Sequence, residues 1–463
     1  MNAQEVIEIV DACPASILKA HPFAILVLMR SMFNWHQIPK MMAMKTLLTE
    51  AVEENAALSD EERGNLLGEC DLIKSFLCYN DIGAMSRLHR SASSQMTRPA
   101  ISIHNSGGWT FGSPSVLMMF YRGAGQLASE LAQMDACMPH YYKITCGHGQ
   151  GAETIMRAEA AFMQGHFTDA QIALEQAYVQ IQGNGQENMA LCCDFLAWRL
   201  SLAIGVAPEK AFEERYAELL RHHNTAWLNI WHAILAYYHA LTGKQEAIPT
   251  IFAMHRLNEA NILAPGKPMY TMIENQVYLT QGAYVKVIGR SEQQLAVCES
   301  LHYALVALHI RIQTAAAYEA LGKWKEAQAC LNRALQAAET DHLLMPFVEN
   351  YAYLKRLLAL YPIKENRFVS EIIALGKLYG RQISVLQMDN RRPEVFAQLT
   401  EREYEIVHMM AQRLTNREIA GQLFLSEGSV KQYIKQIYAK LQIEGGDTRT
   451  KRQQLFQLLE NDD

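Results

Sequence analysis

The sequence predicts an all-α protein, in which a helical-repeat solenoid precedes a small four-helix domain. Five glycines recur at intervals of 38 to 40 residues between Gly165 and Gly322, and each ends an apolar stretch of helical length. Two Thr-x-x-Glu sequences begin at Thr400 and Thr415. They are typical of helix starts because the two side chains satisfy exposed backbone donors there. After both, apolar residues recur every three or four positions, the period of one helix face.

Composition places the chain among globular proteins with room for two or three domains. Of its 463 residues, 50% are hydrophobic and 19% are charged, which excludes a disordered chain. The longest apolar run, Phe23 to Met29, is too short for a membrane span, and Glu5 and Glu8 occupy a region that is basic in signal peptides. The nine cysteines include no Cys-x-x-Cys pair, as expected for buried thiols in a reducing compartment. We therefore predict a cytoplasmic protein without a membrane partner.

Residues 1–150 are predicted to form a helical N-terminal region, for which divergent repeats are an open alternative. Two glycine-rich segments interrupt it. The first, residues 98–114, is too apolar for a flexible linker, so we expect it to pack on its neighbours. The second, Cys146 to Gly151, is not a Gly-x-x-x-x-Gly-Lys-[Ser/Thr] phosphate loop, and it lacks partners at metal-ligand spacing. We predict neither a cofactor nor a metal.

Residues 151–361 carry the repeat. Each glycine is followed by a second predicted helix with a small or medium residue at a near-equivalent position, namely Ala170, Ala211, Ala247, Val287 and Ala327. Helix, glycine turn and helix at this interval predict a solenoid of tetratricopeptide type with a slightly long period, in which stacked hairpins present a concave surface. Unrelated helices with chance glycines are the alternative.

Aromatic and histidine residues are concentrated in the middle of the repeat region. Candidate ligand-binding residues there are Trp227, Trp231, His232 and Tyr238. At helical spacing such residues pack between repeats more often than they bind a ligand, so both interpretations stay open.

Residues 362–398 are predicted to connect the repeats to the C-terminal domain. A helix is expected from Arg367 to Tyr379, and the polar run Met388–Pro393 is the expected hinge. The C-terminal domain then covers residues 399–463.

The third helix of that domain should begin at Ser426 and bury an apolar face that includes Val430 and Ile434. A short helix, a tight turn and a second helix form a helix-turn-helix, which fits the major groove. Predicted DNA-binding residues lie at the starts of the second and third helices and on the opposite face of the third: Thr415, Asn416, Ser426, Ser429, Lys431, Gln432 and Lys435. Lysine can donate to guanine and glutamine can pair with adenine. A merely solvated helix face is the alternative.

The segment also resembles the LuxR-type DNA-binding domain. The matching residues are Leu399, Thr400, Arg402, Glu403, Ala411, Asn416, Glu418, Ile419, Ala420, Leu423, Ser426, Val430, Lys431, Ile437, Lys440 and Leu441. The resemblance implies that Lys431, Gln432 and Lys435 face bases, and that Thr415, Asn416 and Ser426 lie towards the backbone. This chain departs from the usual family residues at four positions. Arg413 and Gln442 stand where the family usually has Gly, Tyr433 stands where it has His, and Gln436 stands where it has Asn.

A helical-repeat array joined to such a domain resembles the MalT-like group, the large ATP-binding LuxR regulators. Members begin with a P-loop ATPase domain, which the sequence lacks, so ATP binding is not implied. A shortened member and a fragment of a longer protein both remain open.

The combined prediction is a sequence-specific transcription regulator, not an enzyme. Its expected partners are double-stranded DNA, a second copy of the chain on two half-sites, and a small-molecule or protein effector, with RNA polymerase as a further candidate. The charge distribution supports DNA binding. Residues 411–452 contain eight basic and four acidic side chains, although the whole chain has net charge −6. The alternative is an interaction scaffold whose helix-turn-helix contacts protein.

Overall fold

The computed structural model describes residues 3–103, 107–183, 185–206, 212–361, 366–389, 394–396, 398–411, 413–423, 425–443 and 447–460. Every regular element within these residues is helical, and none of them forms a strand. The predicted all-α class is therefore confirmed for this part of the chain. It forms two compact units, Met1–Gln382 and Ile383–Asp463. None of the described helices is both long and apolar enough to cross a bilayer.

The N-terminal region of the first unit is helical, as predicted. Its helices are α1 (Ala3–Ala12), α2 (Ala15–Lys19), α3 (Pro22–Asn34), α4 (Ile38–Glu54), α5 (Asp60–Ser75), α6 (Ile82–Gln95), α7 (Val116–Phe120) and α8 (Leu127–Thr145). Pro22 and Pro39 lie in the first turns of α3 and α4, where the missing N–H would have had no intrahelical acceptor. The apolar faces of α1, α3, α4 and α5 share one core.

The two glycine-rich segments pack against the helices and against each other. In the first, Trp109 and Thr110 are buried, and the Thr110 N–H donates to Asn188 Oδ1 at 3.0 Å. In the second, the Gly149 N–H donates to Gln186 Oε1 at 2.9 Å. Gly149 has φ +75°, and a Cβ built there would lie 2.3 Å from Cδ1 of Trp109. The glycine therefore permits both this backbone conformation and the close approach of the indole.

The repeat region contains the helices α9 (Ala152–Met163), α10 (Phe167–Ile181), α11 (Glu187–Ile204), α12 (Phe212–Arg221), α13 (Thr225–Leu241), α14 (Thr250–Ala253), α15 (Lys267–Thr280), α16 (Tyr284–Ser300), α17 (Ala304–Ala320) and α18 (Trp324–Glu339). The five register glycines follow α9, α11, α13, α15 and α17 with φ between 72° and 79°. Each therefore ends its helix in the left-handed conformation that favours glycine. These five helices contact one another in succession, and α9, α15 and α17 also contact the helices that follow them.

One predicted helix pair is incomplete. After Gly243 the chain forms the 3-10 turn Gln245–Ala247 and the four-residue α14 in place of a full second helix. Ala247 is exposed, whereas Ala170, Val287 and Ala327 are buried as predicted. Pro249 and Pro265 account for the difference, because proline cannot donate in a helix interior. The expected position at Ala211 lies outside the described residues.

A second recurring feature of the helix ends was not predicted from the sequence. The helices α12, α14, α16 and α18 are followed by histidines with φ between 51° and 56°, namely His223, His255, His302 and His342. Histidine enters the left-handed region more readily than most residues. Glycine thus ends the first helix of each repeat. Histidine follows the second helix in four repeats, whereas after α10 the left-handed residue is Gly183.

The first unit closes with α19 (Met345–Val348), α20 (Tyr351–Leu358) and the start of α21 (Arg367–Asp389). The connecting helix α21 was predicted to end at Tyr379, and it extends ten residues further, to Asp389. Residues 380–389 continue the helix because Ile383 and Leu386 extend its apolar period. Met388 and Asp389 of the expected hinge are helical, and residues 390–393 lie outside the described residues.

The second unit contains α22 (Glu401–Ala411), α23 (Asn416–Leu423), α24 (Glu427–Lys440) and α25 (Thr448–Glu460). Both predicted capping boxes are present. The Thr400 N–H donates to Glu403 Oε2 at 2.7 Å, and the Thr415 N–H donates to Glu418 Oε2 at 2.7 Å. Ile406, Val407, Ile419, Val430, Ile434 and Ile437 are among the residues of one buried core. The predicted helix starts and buried faces are therefore confirmed.

Candidate nucleic-acid interface

Helix α24 is held at its start by a side-chain cap. Ser426 is its N-cap residue, and its Oγ accepts from the Ser429 N–H at 3.0 Å. The two hydroxyls also share a hydrogen bond of 2.8 Å. The cap satisfies one of the donors that every helix leaves open at its N-terminus, so it fixes where α24 begins.

The outward face of α24 is polar and basic. Lys431, Gln432 and Lys435 are exposed, and the Lys431 side chain is 63% accessible. The opposite face, which includes Val430 and Ile437, is fully buried. Fourteen residues give a helix about 21 Å long at 1.5 Å per residue. Such a helix can enter the roughly 12 Å wide major groove with both lysines leading.

An acidic residue on the same face was not singled out by the sequence analysis. Glu427 lies one turn before Lys431, and its Oε1 is 3.0 Å from Lys431 Nζ. Among the described carboxylates, none pairs with Lys435. Exposed pairs of this spacing contribute about 0.3–0.5 kcal/mol, so a phosphate or base edge can displace Glu427. The i,i+4 spacing was the available signal for this pair.

The C-terminal end of α24 is fastened to the start of α22. Glu403 accepts from Thr400 and also from Lys440 Nζ at 2.6 Å. Burial alone would raise the pKa of Glu403, but the donors Lys440 and Thr400 outweigh it and hold that pKa below its usual value. The capping carboxylate thereby links two helices and orients α24.

Two arginines brace the surrounding turns. The Arg402 Nη2 donates to the Leu423 carbonyl at 2.8 Å, at the end of α23. The Arg452 Nη2 donates to the Leu414 carbonyl at 2.7 Å, in the turn before α23. Both bonds satisfy carbonyls that helix ends and turns leave open. These basic side chains therefore position the helix-turn-helix.

The remaining candidate DNA contacts lie at helix starts. Thr415 is exposed, and its Oγ1 donates to Glu418 Oε2 at 2.7 Å. Asn416 is half-buried at the first position of α23. Ser426 and Ser429 are occupied by the α24 cap. A role for these four residues in binding phosphate stays a prediction.

At two positions this chain has another residue where the LuxR-type family usually has glycine. The backbone conformation at these positions explains why glycine is usual. Arg413 and Gln442 follow α22 and α24 with φ of 63° and 53°. A non-glycine residue in the left-handed region costs about 1–2 kcal/mol. Replacing it with glycine removes this cost, but part of the gain in stability is lost because glycine has more conformational freedom in the unfolded chain. Both positions thus store backbone strain at helix ends.

We expect Arg413→Gly and Gln442→Gly each to stabilise the second unit by about 0.5–1 kcal/mol. Hydrogen exchange of residues 399–455, measured by mass spectrometry on the full chain, would show slower exchange in both variants. Gln432→Gly is the matched control, because it places glycine inside α24 and should destabilise by about 1 kcal/mol. Faster exchange in the first two variants would contradict the strain argument.

The candidate ligand residues of the repeat region contact aromatic rings of the chain itself: Trp231 and Tyr238 contact Phe212, Trp227 contacts His222, and His232 contacts Tyr216. Trp227, Trp231 and Tyr238 are buried, and His232 is half-buried. Phe212 contacts Trp231 and Tyr238 at ring-centroid distances of 6.0 and 5.1 Å. These contacts are between the chain's own side chains, and ligand binding by the four candidate residues stays a prediction.

Comparison with known proteins identifies the C-terminal segment. Residues 397–447 match the family of bacterial regulatory proteins described as the luxR family, or GerE. A relative is the nitrate/nitrite response regulator protein NarP of Escherichia coli (strain K12), which is 39% identical over 57 residues. That match covers 12% of this chain and 26% of NarP. The second unit therefore carries a LuxR-family helix-turn-helix domain, and the likeness does not extend to most of either chain.

Proposed function

We propose that the chain is a sequence-specific DNA-binding transcription regulator that acts in the cytoplasm. The observation that carries the proposal is the geometry of α24, which is capped by Ser426 and tied to α22 through Lys440 and Glu403. Its residues Lys431, Gln432 and Lys435 stay exposed. Lysine donates to guanine O6 and N7, and glutamine pairs with adenine. We further propose that two copies bind half-sites about one helical turn apart, as helix-turn-helix dimers do.

The first unit is proposed as the sensor. The succession of contacts from α9 to α17 and the left-handed glycines support a tetratricopeptide-like solenoid. With the C-terminal domain, this supports a MalT-like regulator whose solenoid receives a small molecule or protein and thereby alters dimerisation, access of α24 to DNA or contact with RNA polymerase.

Selection of bound sequences from random duplex DNA by the full chain tests the function. One enriched motif is expected, with an affinity that falls steeply with salt. The slope of log K against log salt should be about −0.9 per phosphate contacted. Absence of enrichment, or binding that salt leaves unchanged, would instead favour the scaffold in which the helix-turn-helix contacts protein.

A further inference from the structure

The first unit contains a groove with a volume of about 730 Å³. Side chains of α16, α17 and α18 line it, together with Arg122, and all of these lining residues are described. Helix α17 packs against both α16 and α18, so the three helices line the groove side by side. The volume is within the roughly 300–1,000 Å³ of small-molecule sites. The groove is therefore large enough for a ligand, and none of its lining residues belongs to the helix-turn-helix.

Residues at equal distances from a register glycine lie close together across its hairpin. In the hairpin of α15 and α16, Glu274 and Arg290 lie eight residues before and after Gly282, and they form an ion pair. Packed helices are about 8–10 Å apart, which two long side chains can bridge. Gly282 and Gly322 have the same φ, 72°. The relation therefore applies to the hairpin of α17 and α18 as well.

Two arginines of the groove are related in this way. Arg311 of α17 and Arg333 of α18 lie eleven residues before and after Gly322. Arg311 is half-buried and Arg333 is exposed, and no nitrogen of either is both buried and without a partner. Among the described carboxylates, none forms an ion pair with them. Two neighbouring guanidinium groups that lack a counterion can bind one carboxylate through charge-assisted hydrogen bonds.

Helix α16 contributes carboxylates to the groove. Glu292 and Glu299 are exposed, and neither forms an ion pair with any cation that the structure describes. Glu292 and Arg311 lie ten residues before and nine residues after His302, which turns the chain between α16 and α17. They are therefore at nearly the same level. Glu299 lies only three residues before His302, so it is displaced from Arg311 by about 9 Å along the helices, at 1.5 Å per residue.

The two ends of the groove therefore differ in charge. At one end, two arginines stand against one carboxylate. At the other end Glu299 keeps its charge uncompensated, because the nearby Arg122 is paired with Asp81 at 3.3 Å. Leu295 and Ala307 also line the groove. A fitting ligand has an anionic and a cationic group about 9 Å apart, joined by a chain with small apolar side chains.

We propose that the groove binds a short peptide whose two ends are free. Three extended residues span about 10 Å at 3.3–3.6 Å per residue, which matches the separation of charge. The carboxylate of the peptide binds Arg311 and Arg333, and its ammonium group binds Glu299. The binding site does not depend on the proposed function, whereas its role as the effector site rests on that function.

Calorimetry on the full wild-type chain tests both ends of the ligand without any substitution. The probe is the tripeptide Ala-Leu-Ala, which is expected to bind at millimolar concentration. Acetylation of its amino group and amidation of its carboxylate should each weaken binding roughly threefold to fivefold, the size expected for partly exposed ion pairs. No binding of the free tripeptide, or equal binding of the free and blocked forms, would overturn the proposal. A loss on amidation alone would indicate a simple anion site and would overturn it too.

Two variants assign the ends of the peptide to the ends of the groove. Arg311→Gln with Arg333→Gln should bind the free and amidated peptides equally and still prefer the free amino group. Glu299→Gln should bind the free and acetylated peptides equally and still prefer the free carboxylate. The matched control is Lys323→Gln with Lys325→Gln, which removes two exposed cations that do not line the groove and should keep both preferences. An equal loss in the lysine and arginine variants would indicate general charge attraction and overturn the site.

Folding of the variants is checked separately. Tryptophan fluorescence during urea unfolding shows whether each variant is folded. The blocked peptides test the wild-type chain, so an unfolded variant does not remove the test.

The effector role has its own measurement. Saturating Ala-Leu-Ala should change the affinity of the full chain for its selected DNA site at least threefold, and the double arginine variant should not respond. Calorimetric binding without any change in DNA affinity would refute the effector role. Because calorimetry needs no DNA, failure of DNA recognition and failure of peptide binding are separate results.

Discussion

Alanine at both Lys431 and Lys435 is expected to weaken binding of the full chain to its selected DNA site by roughly 2–6 kcal/mol. Each lysine that contacts a base edge contributes roughly 1–3 kcal/mol, and the two lie one turn apart on the exposed face of α24. Neighbouring side chains couple, so the sum is an upper value. Fluorescence anisotropy at one fixed salt concentration, with the selected site and a scrambled duplex, measures both affinity and preference.

Two control variants separate base contact from general loss of charge. Lys325→Ala removes an exposed lysine from α18 and should leave DNA affinity unchanged. Glu427→Gln should bind DNA at least as tightly as the wild type, because it frees Lys431 from its 3.0 Å partner and removes an anion from the face. Unchanged affinity and preference in the double lysine variant would show that α24 does not read DNA.

Arg199→Met is expected to destabilise the first unit by about 3–5 kcal/mol. The Arg199 Nε and Nη2 donate to the two oxygens of Glu349 at 2.7 and 3.0 Å, and both side chains are almost fully buried. Tyr237 donates to the same carboxylate at 2.8 Å. Removal of the guanidinium would leave the Glu349 carboxylate buried and charged, with one neutral donor. An uncompensated buried charge costs more than the intact pair contributes.

Urea unfolding followed by tryptophan fluorescence measures this effect selectively. All six tryptophans lie within Met1–Gln382, so the signal reports on the first unit. The double variant Arg199→Met with Glu349→Leu is the matched comparison. It should be less destabilised than Arg199→Met alone, because it removes the orphaned charge. A single variant within about 1 kcal/mol of the wild type would contradict the argument.

The second unit was predicted well because its signals are local. A capping box joins residues three apart, as in Thr400 and Glu403, and an apolar stripe needs only one helix. The start of α24 and its exposed lysines could therefore be located from the sequence. The role of Lys440 could not, because its partner Glu403 lies 37 positions away.

The repeat region was predicted less completely. A glycine at a fixed interval predicted where five helices end, but it did not reveal the incomplete pair after Gly243. It also did not reveal the histidines that follow α12, α14, α16 and α18. Connection length and local proline content decide whether the second helix of each repeat forms in full. Both vary from one repeat to the next.

By itself, the sequence determined the helical class, the capped helix starts and the polar face of α24, since these depend on residues within one or two turns. Only the tertiary structure decided the Arg199–Glu349 pair, whose members lie 150 positions apart. The physical reason is that burial makes a charge or a lone pair need a partner. Which partner is near depends on packing between distant helices, which no local period encodes.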